Sequence, residues 1–351
     1  MDIHLRPIAE RVDWLFAHAA RYTTEYGTPE STLARQRYLA LHPTAIAVMK
    51  CMDGRINVPV ATGTPRGIIQ PFRNLGGLFD LGWPHLGEVL SHYVHKRIDE
   101  GRRVLIVTSY HFSRGDVYRG CAGFNYDTAA SMAASRELKR QIETVFGNGH
   151  GSVYPLICGF ETDEDALIVH GTDGATLDLS TVSEHEVATL PARLAALCPD
   201  MPEQIRHDLL PLLTGNVRHI AEIRRTKRPL DTEHREWMIC LGRGFDFLHM
   251  PNLALIVGPY SPQLAEPIAT AASIIASNMR AGRIPDDGFL LLASSPFEDI
   301  GSDRARAEMK ARFMAQFAAE VIRERHAGIA AGMIVQTAVL DWHSRRLEKI
   351  D

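Results

Sequence analysis

Short apolar segments bounded by Gly, Pro or charged residues alternate with segments of helical periodicity, and this alternation constrains the fold most. The expected buried strands are Thr44–Lys50, Val104–Tyr110 and Val153–Phe160, and the helices between them are Gly87–Gly101 and Ser131–Phe146. Strands that alternate with helices in this way predict an α/β domain with a largely parallel sheet.

A similar pattern recurs in the second half of the chain. The segment from Pro262 repeats the order of the segment from Pro84: a helix, a Gly-containing turn, an apolar strand and then Ser. Self-similarity at a spacing of roughly 180 residues indicates a duplicated domain. The predicted organisation is an N-terminal helical arm (1–43), a first domain (44–179), a helical connector (180–236) and a repeat domain (237–351).

Composition narrows the class of protein. The 351 residues carry 38 Lys and Arg against 42 Asp and Glu, for a net charge of −4, so no nucleic-acid partner is expected. No apolar run approaches the roughly 20 residues that span a bilayer, so no membrane partner is expected. Five cysteines in a chain of this length are not a disulfide framework and favour a reducing, cytoplasmic setting. A cytoplasmic enzyme or binding protein is the expectation.

Several polar side chains follow two of the predicted strands at the point where each strand ends. Cys51 follows the first strand directly, and His111 and Cys121 follow a later one. Residues just past the carboxyl ends of parallel strands converge on one edge of the sheet. Two thiolates and an imidazole favour Zn²⁺ over Mg²⁺ and leave the fourth tetrahedral position open, as in catalytic zinc sites.

Asp53 and Arg55 belong to the same segment as Cys51. A carboxylate beside the open metal position can accept a hydrogen bond from zinc-bound hydroxide. An arginine two residues further on can keep that carboxylate ionised and oriented through a bidentate contact. The spacing therefore permits a metal centre with an orienting Asp–Arg dyad.

These motifs resemble those of the β-carbonic anhydrases. The matching elements are C-x-D-x-R at residues 51–55, R-N-x-G-G at 73–77 and C-x-G at 121–123. Nine residues separate His111 from Cys121 where the usual form has two, and this long spacing resembles the carboxysome shell carbonic anhydrases in particular. The resemblance implies two tandem β-carbonic-anhydrase-like domains with mostly parallel sheets, N-terminal helices and a helical connector, the second domain lacking zinc ligands.

The resemblance also implies a function. The implied reaction is the reversible hydration of CO2 to bicarbonate with one zinc ion per chain: Cys51, His111 and Cys121 are the ligands, and hydroxide oriented by Asp53 and Arg55 attacks CO2. A CS2 or COS hydrolase with the same fold and zinc shell is an alternative, as is a non-catalytic, zinc-stabilised anion-binding or interaction protein. The insert at 112–120 is a candidate gate of the site. The proton-shuttle candidates are His85, His92, His95 and Tyr110.

The second half is expected to lack the metal. By sequence, Cys240 takes the place of Cys51, Pro296 stands where His111 would, and no second cysteine follows. β-Carbonic anhydrases pair two protomers across a shared sheet, so the resemblance implies that this half serves as a built-in partner. The expectation is a homo-oligomer built from intrachain pseudo-dimers. The large N-terminal extension associated with shell packaging is not evident. A cytoplasmic location is therefore expected, and a carboxysomal location is left open as an alternative that no such extension supports.

Overall fold

The computed structural model describes residues 2–226, 233–245 and 250–350. Residues 227–232 of the predicted connector and 246–249 of the predicted repeat domain lie outside this part. The chain divides into two compact units, which differ from the four predicted segments. The first-sheet unit comprises Leu33–Cys51 and Ile56–Thr232, and the second-sheet unit comprises Met1–Thr32, Met52–Arg55 and Glu233–Asp351.

Helices and strands alternate along the first 226 residues. In chain order they are α1 (Ile8–Tyr26), α2 (Pro29–Leu41), β1 (Ala45–Cys51), α3 (Val58–Thr62), β2 (Ile69–Asn74), α4 (Pro84–Asp99), β3 (Val104–Phe112), α5 (Thr128–Phe146), β4 (Val153–Glu161), β5 (Ala166–His170), β6 (Thr176–Asp178), α6 (Leu190–Leu197) and α7 (Glu203–Thr226). The N-terminal helices and the helical connector are therefore present as predicted.

The first sheet has six strands in the order β2-β1-β3-β4-β5-β6. Strands β2, β1, β3 and β4 are parallel, whereas β5 and β6 return antiparallel. Every residue of β1 and β4 is buried, as expected for strands in a sheet covered on both faces. Because β1 and β3 are neighbours, their carboxyl ends lie at the same edge of the sheet.

The second sheet is built from the elements after residue 233. These are β7 (Met238–Gly242), β8 (Ala254–Val257), α8 (Ala265–Arg280), β9 (Phe289–Phe297), α9 (Ser302–Arg325), α10 (Ala327–Ala330), β10 (Met333–Asp341) and β11 (Leu347–Lys349). The strand order is β11-β10-β9-β7-β8, with β11 antiparallel to β10 and the other pairs parallel. Helix α1 belongs to this unit, and the buried Arg11 of that helix forms an ion pair with Asp287.

The two sheets share one topology. Read from its outer parallel strand, the first sheet runs β2-β1-β3-β4-β5 and the second runs β8-β7-β9-β10-β11, each ending in an antiparallel hairpin. The predicted α/β fold with two tandem, mostly parallel sheets is confirmed. The common order supports the predicted duplication, which itself stays a prediction.

Sheet register corrects one expectation about the second half. Strands β3 and β9 both have nine residues, and each pairs from its first residue with the first residue of the next strand. Pro296 therefore occupies in β9 the position that His111 occupies in β3, as the sequence predicts. The prediction for Cys240 is wrong: because Ile46 pairs with Leu105 and Met238 with Leu290, Cys240 matches Val48.

Candidate metal centre

Cys51, His111 and Cys121 lie at the carboxyl edge of the first sheet. Cys51 is the last residue of β1 and His111 is the penultimate residue of the neighbouring β3. Cys121 follows the insert and precedes a short 3-10 turn at Ala122–Phe124. The parallel pairing of β1 and β3 therefore places Cys51 and His111 at one edge of the sheet. Cys121, which follows the insert, lies at the same edge.

The three side chains form a compact cluster. Their ligand atoms, two Sγ atoms and one imidazole nitrogen, all lie within 4.8 Å of one another. The side chains are buried, with exposed fractions of 5% for Cys51 and 2% each for His111 and Cys121. Two sulfur donors and one nitrogen donor are the set that zinc takes, and three protein ligands leave one tetrahedral position for water or substrate. The donor set therefore fits a catalytic zinc ion.

Asp53 and Arg55 form the bidentate contact that the sequence predicts. The Arg55 Nε donates to Asp53 Oδ1 at 3.0 Å, and Nη2 donates to Oδ2 at 2.6 Å. The backbone N–H of Arg55 also donates to Oδ1, at 2.9 Å. Both side chains are at least 95% buried. Charge-assisted, two-point pairing of this kind fixes the plane of the carboxylate and favours its ionised form.

The sequence reasoning missed two further residues that face Asp53 within the second-sheet unit. His234 presents Nε2 to Asp53 Oδ2 at 3.8 Å and Nδ1 to the Glu236 carboxylate at 2.9 Å. Burial disfavours the charged form of His234, but the Glu236 carboxylate outweighs it, so the pKa of His234 lies above its usual value. The imidazole therefore lies between two buried carboxylates.

Glu236 also holds the backbone between Asp53 and Arg55. Its Oε1 accepts the N–H of Gly54 at 3.1 Å. A Cβ at Gly54 would stand 2.6 Å from the carbonyl oxygen of Ala254 and 2.9 Å from Glu236 Cγ, so this position requires glycine. No local sequence signal marks Glu236 as a partner of Gly54, because the two residues are 182 positions apart in the chain.

The R-N-x-G-G element shapes the same edge of the first sheet. Arg73 and Asn74 end β2, and the Asn74 side-chain amide donates to the carbonyl of Leu78 at 2.7 Å. Gly77 has φ 67°, and a Cβ there would stand 3.0 Å from the carbonyl oxygen of Ser109 and 3.4 Å from the backbone nitrogen of Cys51. The element therefore lets a tight turn approach the ends of β1 and β3.

The insert between His111 and Cys121 is fastened to the hairpin formed by β4 and β5. Asp163 accepts the Ser113 hydroxyl at 2.9 Å and the Gly115 N–H at 2.7 Å. Glu161, which is 1% exposed, accepts the N–H of Arg114 at 3.2 Å, and the Arg114 guanidinium pairs with Asp178. Burial and the neighbouring Asp163 raise the pKa of Glu161 to about 7. The proposed gating by this insert stays a prediction.

The four proton-shuttle candidates lie on α4 and near the end of β3. His85, His92 and His95 lie on the exposed surface of α4. The Tyr110 hydroxyl and His170 Nε2 are joined by a hydrogen bond of 2.8 Å, and burial raises the pKa of Tyr110 to about 12.

Comparison with known proteins bears on this centre. Residues 35–190 match the family model described as the carboxysome shell carbonic anhydrase, catalytic domain. The predicted resemblance is confirmed. The matched range contains Cys51, Asp53, Arg55, His111 and Cys121, and it ends before the second sheet begins.

Two individual proteins are similar to parts of this chain. The carboxysome shell carbonic anhydrase of Halothiobacillus neapolitanus (strain ATCC 23641 / c2) is 27% identical over 260 residues, which cover 60% of this chain and 49% of the relative. The chain thus spans about half the length of that relative. A crystal structure of carbonic anhydrase from Streptococcus mutans is 20% identical and covers 42% of this chain and 93% of that chain, with a TM-score of 0.23, which is too low to argue from.

Among the described residues, no helix combines the length and apolar character needed to cross a bilayer.

Proposed function

We propose that this chain catalyses the zinc-dependent, reversible hydration of CO2 to bicarbonate. The observation that carries the proposal is the convergence of Cys51, His111 and Cys121 within 4.8 Å, inside the range that matches a carbonic anhydrase catalytic domain. The named relative supports the same activity. Cys51, His111 and Cys121 are the proposed ligands of one catalytic zinc ion.

The chemistry of the proposed centre follows from its donor set and its burial. Zinc, when bound, lowers the pKa of water to about 7 and so supplies a nucleophile at neutral pH. The ligands are 2–5% exposed, so they hold the ion away from bulk solvent, where electrostatic interactions are stronger. Thiolate ligands also bias the site toward zinc and away from the hard cations Mg²⁺ and Ca²⁺.

Asp53 is proposed to orient the nucleophile by accepting its hydrogen bond. Arg55 supports this role through the bidentate contact, because that contact keeps the carboxylate ionised and in one orientation. His234 and Glu236 restrict the same carboxylate and the backbone at Gly54. Asp53 lies two residues after the ligand Cys51, so covalent connection limits its distance from the centre.

Stopped-flow CO2 hydration tests this proposal on the zinc-loaded chain. The wild type should hydrate CO2 well above the buffer rate, and Cys51→Ala should fall to that rate while Cys240→Ala does not. A wild-type rate equal to that of buffer would contradict the proposed CO2 hydration activity. Turnover of COS or CS2 in that case would identify the alternative hydrolase, and zinc binding without turnover of any of the three would favour the non-catalytic anion-binding or interaction protein.

Assembly and location are proposals of the same kind. The shared topology of the two sheets supports an intrachain pseudo-dimer, from which we infer a homo-oligomer. CO2 and bicarbonate are the proposed small-molecule partners, and the proposed location is the cytoplasm. Multi-angle light scattering at several concentrations measures the oligomeric state, and a mass of 39.0 kDa at every concentration would contradict the oligomer.

A further inference from the structure

A second group of metal-ligating side chains lies in the first-sheet unit, at the opposite end of β1 from Cys51. His42 stands directly after α2, and His207 and Asp208 lie in the second turn of α7. The backbone N–H of Thr44, just before β1, donates to Asp208 Oδ2 at 2.8 Å. Because a strand rises about 3.3 Å per residue, this group lies about 20 Å along the strand from Cys51.

The spacing of the three side chains matches that of ligands around one metal ion. The ligand atoms of His42, His207 and Asp208 all lie within 4.8 Å of one another. Asp208 Oδ1 is 3.4 Å from His42 Nδ1 and 3.1 Å from His207 Nδ1. Two ligands bound to zinc at 2.0–2.1 Å with tetrahedral angles stand about 3.3 Å apart. A zinc ion therefore fits among these atoms with little movement of the side chains.

The electrostatics of Asp208 favour a cation at this position. Its side chain is 1% exposed, and burial of a carboxylate is costly unless the charge is compensated. Its ion-pair contacts are with His42 and His207, which carry charge only when protonated. A divalent cation would compensate the carboxylate while both histidines stay neutral, which is the form that binds metal.

The hydrogen bonds to Asp208 point the same way. Oδ1 has two lone pairs, yet the Gln204 side-chain amide at 2.9 Å approaches it as well as the two histidine nitrogens. One cation bound by both histidines would replace their two separate contacts with Oδ1, which would leave the cation and the Gln204 amide as the partners of its two lone pairs. The Gln204 amide and the Thr44 N–H would then hold the carboxylate in place from outside the metal, as partners of ligating carboxylates do.

The group is also accessible. His42 and His207 line a cavity of about 820 Å³, whose wall includes Thr214, Arg218 and His219. The His207 side chain is 58% exposed. A metal ion has an entry path through this cavity, and its remaining coordination positions would be open to water.

We propose that His42, His207 and Asp208 bind a divalent transition metal ion such as zinc. Two imidazoles and one carboxylate suit zinc and its neighbours in the first transition row better than Mg²⁺ or Ca²⁺. The ion would fasten the segment after α2 to α7. Helix α2 has no buried side chain of its own, so this tie would add to its anchoring. The site is independent of the proposed hydratase activity.

Cobalt titration of the metal-free chain tests the proposal, because Co²⁺ bound by thiolates gives sulfur-to-metal charge-transfer bands and Co²⁺ bound by nitrogen and oxygen does not. The wild type should bind two equivalents, of which only one adds charge-transfer intensity. His207→Ala should lose the equivalent without charge transfer, whereas His185→Ala, a change at an exposed histidine, should keep both.

Cys51→Ala separates this inference from the proposed function. That variant should lose the charge-transfer bands and still bind one equivalent, which His207→Ala in the same chain should remove. His207 is largely exposed, so its replacement is not expected to impair folding. A wild type that binds a single equivalent, or a His207→Ala chain that binds as many ions as the wild type, would overturn the second site.

Discussion

The first and second sheets have the same strand order and matching register, yet only the first carries a cluster of two thiols and an imidazole among the described residues. At matched positions His111 is replaced by Pro296, and the position of Cys51 is taken by Arg243. The architecture of the sheet therefore does not depend on the ligands. The chemistry depends on a few residues at the carboxyl ends of two strands.

The largest expected effect comes from removing one ligand. Cys51→Ala should abolish stoichiometric binding at the thiolate site and CO2 hydration, since two remaining ligands do not hold a catalytic zinc ion. Cys240→Ala in the second sheet removes a buried thiol in the register of Val48 and should change neither. Zinc analysis and stopped-flow rates measure both variants. Equal losses in the two would contradict the assignment of the site to the first sheet.

The next effect comes from the arginine of the dyad. Arg55→Ala should lower turnover by about 10–100-fold, because the orientation of Asp53 is lost, while zinc content stays near that of the wild type. Arg243→Ala removes the same type of side chain from the second sheet, at the position of Cys51, and as the control should leave turnover unchanged. Complete loss of zinc in Arg55→Ala would show that Arg55 serves metal binding and not orientation.

A smaller effect is expected from the carboxylate behind His234. Glu236→Gln removes the charge that raises the pKa of His234 and weakens the hold on Gly54, so turnover should fall by less than about tenfold. Glu266→Gln changes an exposed glutamate in α8 and should have no effect. The ratio of the two kcat values gives the result. A fall in kcat as large as that of Arg55→Ala would contradict this smaller, supporting role of Glu236.

The last residues of β4 and β10 are acids, Glu161 and Asp341, whose pKa values are shifted in opposite directions. Burial raises the pKa of Glu161 from 4.5 to about 7, so the folded chain binds more protons than the unfolded chain in this window. Its contribution to stability is full below pH 4.5 and is lost as the pH rises through about 7. The insert at 112–120 should therefore lose protection against hydrogen exchange between about pH 5 and 8.

Glu161→Gln should remove this pH dependence, because glutamine stays neutral. Asp341 occupies the matched position in β10. Burial opposes ionisation there, but hydrogen bonds from Ser344 and His343 hold the pKa of Asp341 below 3.8. Its contribution is lost only as the pH falls through that low value, so Asp341→Asn should have no pH-dependent effect between about pH 5 and 8. Exchange rates corrected for their intrinsic pH dependence are the measurement. A pH-dependent loss of protection that persists in Glu161→Gln would refute the role of Glu161.

The smallest effect is expected from restoring one ligand type to the second sheet. Pro296→His places an imidazole at the position matched to His111, but Arg243 still occupies the position of Cys51. One imidazole does not make a zinc site, so the zinc content should not change. An additional equivalent in this variant would mean that the second half retains more of a metal centre than its register indicates.

The strongest elements of the fold could be predicted from local pattern. Strands β1, β3 and β4 are continuous apolar runs and were predicted to within two residues, because strands buried on both faces leave that signature. Strand β2 is not among the strands that the sequence predicts. It contains Pro71 and polar residues, which an edge strand tolerates because one side of its backbone is not paired.

The candidate site was predictable where its residues follow strand ends, and not where they come from distant segments. Cys51, His111 and Cys121 come together as their positions in the pattern predict. The contacts of Asp53 with His234 and of Gly54 with Glu236 have no counterpart in local spacing. The predicted match of Cys240 to Cys51 is wrong because a short stretch of similar sequence does not determine the register of a strand. Hydrogen bonding across the sheet fixes that register.

Zinc-edge X-ray absorption on the His207→Ala chain, which lacks the proposed second metal site, tests the central claim most directly when that chain is loaded with one equivalent of zinc. Two sulfur atoms at about 2.3 Å and one imidazole nitrogen at about 2.0 Å, with one further light atom, are the predicted ligands. Cys51→Ala should reduce the sulfur count by one or lose the ion. A zinc ion surrounded by nitrogen and oxygen alone would contradict the account of Cys51, His111 and Cys121 given above.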